Sequence, residues 1–198
     1  MNQGSDAILS AITTFTDHAH GTQARKYSPE RYIEHPKRVM ATLRQYTDDV
    51  AVLAAALMHD VLEDTPVTAD DIRKFLFDLM DTDTVERTIG LVIELTDVYV
   101  KDKYPKWNRR QRKTKEMERM VKTSYMAQTI KYADIIDNTD AIVYADQEFA
   151  GVFLNECKAL LKRMNQGNPD LYDRAVKWVD KGLLQLKKNM SAGNGQDH

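Results

Sequence analysis

Four ionisable side chains lie close together within six residues of the chain: His59, Asp60, Glu63 and Asp64. They follow an apolar, alanine-rich run over residues 54–58, which indicates a helix packed inside the protein. On such a helix, Glu63 lies about one turn beyond His59 and Asp60. Asp64 lies one turn beyond Asp60, so the four side chains should share a face. Burying three carboxylates and an imidazole is costly unless their charge is compensated, and a bound divalent cation is the simplest compensation.

The same spacing is also compatible with a purely structural role. In that interpretation, Asp60, Glu63 and Asp64 form a solvated end of the helix, and His59 is a hydrogen-bonded residue of the core. This segment alone does not decide between a metal site and a helix end, so the decision depends on the other polar residues of the chain.

A second polar cluster lies on another predicted helix, where Asp137 and Asn138 follow Asp134 by three and four residues. Far upstream, His35 precedes Pro36 at a predicted helix start. Two histidines and two aspartates form a mixed set of nitrogen and oxygen donors that suits Mn²⁺, Fe²⁺, Zn²⁺ or a similar ion. Four protein ligands on an octahedral metal leave positions open for water and for an oxygen of a substrate.

The composition indicates a soluble protein of one domain. The 198 residues carry a net charge of -2, so no overall basicity indicates nucleic-acid binding. The single cysteine, Cys157, excludes an internal disulfide and is consistent with a reducing cytosol. The N-terminus lacks a signal-peptide pattern, and no apolar run approaches the roughly 18–20 residues that span a bilayer. We therefore expect a cytoplasmic protein that binds neither nucleic acid nor a membrane.

The apolar periodicity predicts helices throughout and shows no convincing alternation typical of a strand. The central helix is expected to start at Asp48 or Asp49 and to run through the four ionisable residues until Pro66 ends it. Further helices are predicted at about residues 6–18, 36–43, 69–79, 84–98, 127–136, 146–164 and 169–189. We thus predict an all-α fold with one domain over residues 1–190 and a disordered tail over residues 191–198.

Four segments occur in the order of known motifs. Residues 32–36 read YIEHP, residues 59–65 read HDVLEDT, residues 95–97 read LTD and residues 129–139 read TIKYADIIDNT. In this order they resemble the PYIxHP, HDxxEDT, LTD and KxADxxxN segments of the HD-superfamily phosphohydrolases of the RelA/SpoT type. The similarity extends over about residues 19–142, and it implies a single-domain helical HD-domain bundle.

The resemblance also implies a metal-dependent enzyme. The metal, expected to be Mn²⁺, would be held by four ligands: His35, His59, Asp60 and Asp134. Glu63 and Asp64 match the catalytic acidic pair of the family, which orients or deprotonates the attacking water and assists the leaving group. Asn138 would help to hold the metal cluster or the sugar of the substrate.

The substrate contacts implied by the resemblance are basic. Residues 19–25 are similar to the AHxGQxR loop of the family, so Arg25 and the neighbouring Lys26 would contact phosphates or stack on a base. Residues 108–113, in the basic stretch 101–115, resemble an NRxxRK element. Three cations of this element could neutralise a pyrophosphate: Arg109, Arg112 and Lys113. For each of them, a solvated basic helix face is the alternative interpretation.

The chain departs from the family where the nucleotide should bind. Thr22 stands where the family usually has a glycine before its glutamine, Arg31 stands in place of a proline, and Glu34 precedes the histidine ligand. The metal motifs, in contrast, are intact. Nothing after Ile142 resembles the synthetase domain of the bifunctional members, so no alarmone synthesis is expected.

The expected reaction is metal-dependent removal of the 3′-pyrophosphate from ppGpp or pppGpp, with a small-molecule nucleotide as the partner of the site. One alternative is an HD-type phosphatase that acts on another nucleotide, such as NADPH or a deoxynucleotide. The other alternative is a non-catalytic nucleotide-binding regulatory module. The acidic pair of Glu63 and Asp64 favours an enzyme, because a protein that only binds a nucleotide has little need for it.

Overall fold

The structure, a computed structural model, describes residues 3–26 and 29–193. Within these ranges the fold is all-α, as the sequence predicts, and the described β contact is an isolated antiparallel bridge between Ala24 and Arg31. Helices α1 to α10 span, in order, Gln3–His20, Glu34–Leu43, Val50–Met58, Val61–Asp64, Ala69–Phe77, Thr82–Leu95, Arg109–Met120, Tyr125–Ala145, Gln147–Leu161 and Pro169–Gly193. No helix in the described part of the chain is both long and apolar enough to cross a membrane.

The core is built around α3 and α8. All the side chains of α3 from Ala51 to Met58 are buried, and three consecutive alanines at residues 54–56 leave room for close neighbours. α3 packs against α1, α2, α6 and α8, and α8 packs in addition against α9 and α10. The two helices next to the predicted metal ligands therefore lie at the centre of the domain, where packing restricts the movement of side chains.

The central helix is interrupted, in contrast to the prediction from the sequence. α3 ends at Met58, and the short helix α4 begins at Val61. Nδ1 of His59 lies 2.8 Å from the carbonyl oxygen of Ala56 and satisfies one of the carbonyls that the end of α3 leaves without a helical partner. The prediction of one continuous helix that ends only at Pro66 is therefore wrong.

The next turn of the chain starts at Asp60. Its carbonyl oxygen accepts hydrogen bonds from the N–H groups of Glu63 and Asp64, at 3.2 and 2.9 Å. The backbone angles of Asp60, φ -99° and ψ -5°, are those of a turn residue rather than of a regular helix. The ionisable residues thus lie on two short helical segments and the turn between them, so the predicted single helical face is not formed.

Capping side chains set the helix boundaries that periodicity placed only approximately. Asp81 accepts a hydrogen bond from the N–H of Thr84 and starts α6 at Thr82, two residues before the predicted start. Asn108 and Gln111 form a capping box at the start of α7. The second half of the basic stretch is therefore a regular helix, which the sequence analysis gave only as the alternative interpretation of its basic residues.

The two ends of the chain extend the predicted helices. α1 begins at Gln3, three residues before the predicted start near residue 6. α10 continues to Gly193 and so includes the first residues of the segment assigned to a disordered tail. Residues 194–198 lie outside the described residues, and the tail there stays a prediction.

A turn between α9 and α10 anchors α8. The hydroxyl of Tyr132 donates to the carbonyl of Met164 at 2.9 Å, and the N–H of Asn168 donates to Oγ1 of Thr129 at 2.9 Å. Gly167 allows this close approach, because an added Cβ would lie 2.6 Å from the ring of Tyr132. α8 is thus held in its first half, at Thr129 and Tyr132, which lie five and two residues before Asp134.

Candidate metal centre

The four predicted ligands meet in the core, from α2, the end of α3, the following turn and α8: His35, His59, Asp60 and Asp134. Nε2 of His35 lies 3.1 Å from Oδ1 of Asp134 and 3.6 Å from Oδ2 of Asp60. Nε2 of His59 lies 3.0 Å from the same oxygen of Asp60 and 3.7 Å from Oδ1 of Asp134. Both histidines and Asp134 are buried, so their polar atoms depend on each other and on a ligand for compensation.

Each imidazole turns the same nitrogen towards the cluster. Nδ1 of His59 contacts the carbonyl of Ala56, and Nδ1 of His35 lies 2.7 Å from Oδ2 of Asp137. Because both partners are oxygen acceptors, Nδ1 carries the proton and Nε2 keeps its lone pair in the neutral ring. Nε2 of His59 is buried and makes no hydrogen bond to any described residue. This is the tautomer in which a histidine binds a metal ion.

The donor set fits a divalent cation. The ligand atoms of His35, His59 and Asp134 lie within 4.8 Å of one another, and the carboxylate of Asp60 adjoins them. Burial lowers the pKa of His59, but the charges of Asp60 and Asp134 outweigh burial and raise this pKa well above its usual value. The site therefore attracts positive charge. Two nitrogen and two carboxylate donors are compatible with Mn²⁺, Fe²⁺ or Zn²⁺ and do not select one of them.

Asp137 holds His35 in place. Its carboxylate contacts Nδ1 of His35 and accepts a hydrogen bond from Nε of Arg38 at 2.6 Å. Despite burial, His35 and Arg38 keep the pKa of Asp137 below its usual value. A carboxylate behind a ligand histidine raises the basicity of the nitrogen that faces the metal. The sequence analysis noted Asp137 only as part of a polar cluster, because its partner is 102 residues away in the chain.

Asp134 is held from two sides. Nζ of Lys131 lies 2.7 Å from Oδ2 of Asp134, and Nδ2 of Asn138 donates to Oδ1 at 2.6 Å. Burial alone would raise the pKa of Asp134, but the Lys131 charge and the histidines bring it well below the usual range. Asn138 also accepts a hydrogen bond from Nη2 of Arg25 at 3.1 Å. Asn138 thus adjoins the cluster, and its role towards a metal or a sugar stays a prediction. The sequence did not predict the contact of Lys131 with Asp134.

The two members of the acidic pair have different partners. Oε2 of Glu63 accepts a hydrogen bond from the backbone N–H of Asp97 at 3.1 Å. Glu63 is solvent-accessible, but the surrounding protein removes part of its hydration, and this desolvation with the charge of Asp97 raises its pKa to about 7. Oδ2 of Asp64 accepts a hydrogen bond from Nε2 of Gln23 at 3.3 Å. A carboxylate whose pKa lies near neutral is suited to exchange a proton, so Glu63 can take this role.

Two cavities open next to the cluster, and Asn138 lines both of them. The smaller cavity, of about 320 Å³, is lined by the segment between α1 and α2 and by Asp64. The larger cavity, of about 810 Å³, lies between α7, α8 and α9 and reaches Asp134. Apolar side chains form much of the wall of the larger cavity: Met117, Met120, Ile135, Phe149, Phe153 and Leu160.

The predicted contacts from the AHxGQxR-like loop line the smaller cavity. The guanidinium of Arg25 is largely buried and contacts Asn138 and, at 3.5 Å, the carboxylate of Asp137. Nζ of Lys26 lies 5.1 Å from the centre of the Phe149 ring. Arg25 and Lys26 therefore both point to the cleft that adjoins the ligand cluster, one towards α8 and one towards α9.

The predicted contacts from the second basic segment are already paired within the protein. Arg109 donates two hydrogen bonds to the carboxylate of Glu156, at 3.0 and 2.6 Å, and Lys113 contacts Oδ2 of Asp97 at 2.8 Å. Both basic residues line the larger cavity. Arg112 donates to a backbone carbonyl of the preceding loop, and the described linings of the two cavities do not include it.

The sequence also matches a family of known proteins. Residues 13–148, more than half of the chain, match the family described as the HD domain. The chain belongs to the HD-domain family. The matched region contains all four residues of the cluster, so the HD-domain identity expected from the motifs is confirmed.

Three similar proteins accompany this HD-domain match. The chain is 37% identical over 122 residues to guanosine-3′,5′-bis(diphosphate) 3′-pyrophosphohydrolase MESH1 of Drosophila melanogaster. This match covers 60% of each protein. It is 46% identical over 56 residues to the bifunctional (p)ppGpp synthase/hydrolase SpoT of Escherichia coli, covering 28% of this chain and 8% of SpoT. Both matches span less than two thirds of the relative. The solved structure of a metazoan orthologue of SpoT that hydrolyses ppGpp is 26% identical, with a TM-score of 0.72, and the match covers 90% of this chain and 95% of that one.

We predict that Asp60→Ala weakens binding of a divalent cation by about 100-fold or more, because even a partner behind a ligand is worth about 10–100-fold in affinity. Metal content of the purified protein, measured by plasma mass spectrometry, checks this loss. Asp64→Ala is the matched control, since it removes a nearby carboxylate that contacts Gln23 instead of the histidines. Stoichiometric metal in Asp60→Ala would contradict the assignment of Asp60 as a ligand.

Proposed function

We propose that this chain is a metal-dependent phosphohydrolase that removes the 3′-pyrophosphate of ppGpp and pppGpp. The observation that carries the proposal is the cluster of the buried His35, His59 and Asp134 with the partly exposed Asp60, with Glu63 nearby. A cation site with a carboxylate nearby is equipped for the attack of water on phosphorus. The similarity to the Drosophila and metazoan ppGpp hydrolases supports this choice of substrate. We propose Mn²⁺ as the metal, which the donor set permits.

The proposed reaction forms one bond and breaks one. The oxygen of water bonds to the phosphorus attached to the ribose 3′ oxygen, and the bond between that phosphorus and the 3′ oxygen breaks. Glu63 accepts a proton from the water, and Asp64 assists the departure of the 3′ oxygen, which takes up a proton. The products are pyrophosphate and GDP or GTP. A cation held by the four ligands would supply Lewis acidity that withdraws charge from the phosphoryl oxygens.

Positively charged side chains near the two cavities could bind a polyphosphate. Arg25 and Lys26 would contact the nucleotide from the smaller cavity, and Asn138 would contact its sugar from the border between the cavities. In the second basic segment, Lys113 is the best placed residue, because its partner Asp97 in turn contacts Glu63. Arg109 and Arg112 would first have to leave their present partners before they could bind a phosphate.

The larger cavity favours a second substrate class. A volume of about 810 Å³ is within the range of roughly 300–1,000 Å³ typical of small-molecule sites, and it far exceeds the needs of a pyrophosphate. Its apolar wall and the pairing of Arg109 with Glu156 suit an uncharged ring better than a phosphate. A nucleotide with a second ring system, such as NADPH, would fill both cavities, whereas a deoxynucleotide would fill only one.

Hydrolysis of a substrate panel tests the proposal. The Mn²⁺-loaded protein is incubated with ppGpp, pppGpp, NADPH and a deoxynucleoside triphosphate, and products are separated by anion-exchange chromatography. We expect GDP and pyrophosphate from ppGpp, and no products after the metal is chelated. Hydrolysis of another compound alone would retain the metal mechanism and reject the alarmone. Absence of products from every compound, with metal bound, would reject the proposed substrates and leave a substrate outside the panel or a binding module.

Glu63→Gln should reduce kcat by about 10²-fold or more, which is the usual scale for losing a positioned proton acceptor. Metal content should not change, because Glu63 is not one of the proposed ligands. Glu86→Gln is the matched control, since Glu86 is exposed on α6 and pairs with Arg73 away from the cluster. Full activity of Glu63→Gln would exclude Glu63 as the proton acceptor.

Two neighbouring basic residues should differ in their effect on substrate binding. Lys113→Ala should lower kcat/KM for ppGpp by about tenfold or more, because a hydrogen bond to a charged group is worth about 1.5–3 kcal/mol. Arg112→Ala should leave kcat/KM nearly unchanged, since Arg112 bonds to the carbonyl of Trp107. Steady-state kinetics of the two variants measure this difference. Equal losses would mean that the basic segment acts only through its overall charge.

A further inference from the structure

The loop between α1 and α2 reaches the ligand cluster through Tyr32. The phenolic hydroxyl of Tyr32 donates to Oδ2 of Asp60 at 2.6 Å. This is the carboxylate oxygen that lies 3.0 Å from Nε2 of His59 and 3.6 Å from Nε2 of His35. The hydrogen bond therefore acts on the oxygen that faces the centre of the cluster, and an oxygen with two lone pairs can accept it and still face a cation.

Tyr32 is itself fixed by the loop. Its ring stacks on the imidazole of His20, with centroids 4.4 Å apart and an interplanar angle of 21°. His20 is buried, and its Nδ1 lies 2.9 Å from Oε1 of Gln23. The backbone N–H of Tyr32 donates to the carbonyl of Gln23 at 2.9 Å, and Nε2 of Gln23 donates to Asp64. One connected group thus links Asp60 to Asp64 through the loop.

Arg31 connects the loop to the end of α1. Nη2 of Arg31 lies 2.8 Å from Oδ1 of Asp17 and donates to the carbonyl of Gly21 at 3.2 Å. Gly21 has a φ of 56°, in the left-handed region that a side chain rarely adopts, so the chain leaves α1 through a glycine turn. The residue after Arg31 is the tyrosine that contacts Asp60. The position where the family has a proline is thus occupied here by a side chain that ties the loop to α1.

We propose that Tyr32 is a positioning residue of the metal centre, which fixes the Asp60 carboxylate in the orientation that binds a cation; this inference rests on the metal-dependent function proposed above. Asp60 lies in a turn outside regular helix, where its carboxylate has fewer backbone restraints than that of Asp134 on α8. Without the Tyr32 hydroxyl, the carboxylate can rotate away from the two histidines. The cation then loses one ligand for part of the time.

Tyr32→Phe is the direct test, because it removes the hydroxyl and keeps the ring that stacks on His20. Titration calorimetry of Mn²⁺ into the metal-free protein should show affinity weakened by about 10–100-fold, the usual effect of losing a partner behind a ligand. Co²⁺ bound in place of Mn²⁺ should give an altered visible absorption spectrum, which reports the ligand geometry. Tyr144→Phe is the control, since Tyr144 is 76% exposed on α8.

A second comparison separates positioning from general stability. In the Asp60→Asn background, Tyr32→Phe should cause little further loss of Mn²⁺ affinity, because its effect runs through the Asp60 carboxylate. Equal losses in both backgrounds, or unchanged affinity and an unchanged Co²⁺ spectrum in Tyr32→Phe, would overturn the proposal. If Tyr32→Phe does not fold, His20→Ala replaces it: the hydroxyl stays but its ring loses the stacking partner. Weaker Mn²⁺ binding in His20→Ala is expected, and unchanged binding would overturn the proposal.

None of these measurements uses a nucleotide. If ppGpp is not hydrolysed but Tyr32→Phe weakens Mn²⁺ binding, the substrate proposal fails and the positioning role stands. If ppGpp is hydrolysed and Mn²⁺ affinity is unchanged in Tyr32→Phe, the positioning role fails and the substrate proposal stands. The two proposals are therefore tested independently.

Discussion

Two imidazoles and two carboxylates meet between α2, α3 and α8, where the surrounding packing excludes most water. Removing a carboxylate from water costs several kcal/mol, and mutual attraction offsets this cost only when each group has well-placed partners. Nδ1 of His59 bonds to the carbonyl of Ala56 at the end of α3, and Nε2 makes no hydrogen bond to the described residues. A divalent cation would remove this deficit and the excess negative charge together. The fold around the cluster holds these four groups in positions from which they could bind such a cation.

Most of that support comes from residues just behind the four residues of the cluster. Asp137 and Arg38 orient His35, Lys131 and Asn138 hold Asp134, and the carbonyl of Ala56 orients His59. These contacts arise from rigid helices, because α8 presents several of them at intervals of one turn. Asp60 differs, since it lies in the turn between α3 and α4 and takes its support from a loop. The cluster is therefore firmly fixed on the side of α8 and depends on Tyr32 on the other side.

The sequence predicted which residues form the cluster better than it predicted their setting. The resemblance of short motifs named His35, His59, Asp60 and Asp134 as candidate ligands, and the structure brings these four together. The periodicity gave an all-α fold, because it is a local signal. The break after Met58 was missed, since a turn that keeps the following residues helical leaves the apolar pattern almost unchanged. Long-range pairs were missed for a different reason. The partner of Arg109 is Glu156 on α9, and no pattern within one segment reveals which acidic residue a distant basic residue will meet.

The loop between α1 and α2 departs from the family motif and still keeps its contact with the cluster. A proline before Tyr32 would restrict the backbone directly, but this chain has Arg31 there. Its ion pair with Asp17 is exposed, and exposed pairs contribute only about 0–1 kcal/mol. The order of the loop must therefore come mainly from the backbone hydrogen bonds at Gln23 and Arg25 and from the stacking of Tyr32 on His20. These same contacts hold the hydroxyl on Asp60, so the loop can vary on its outer face only as long as Tyr32 keeps its place.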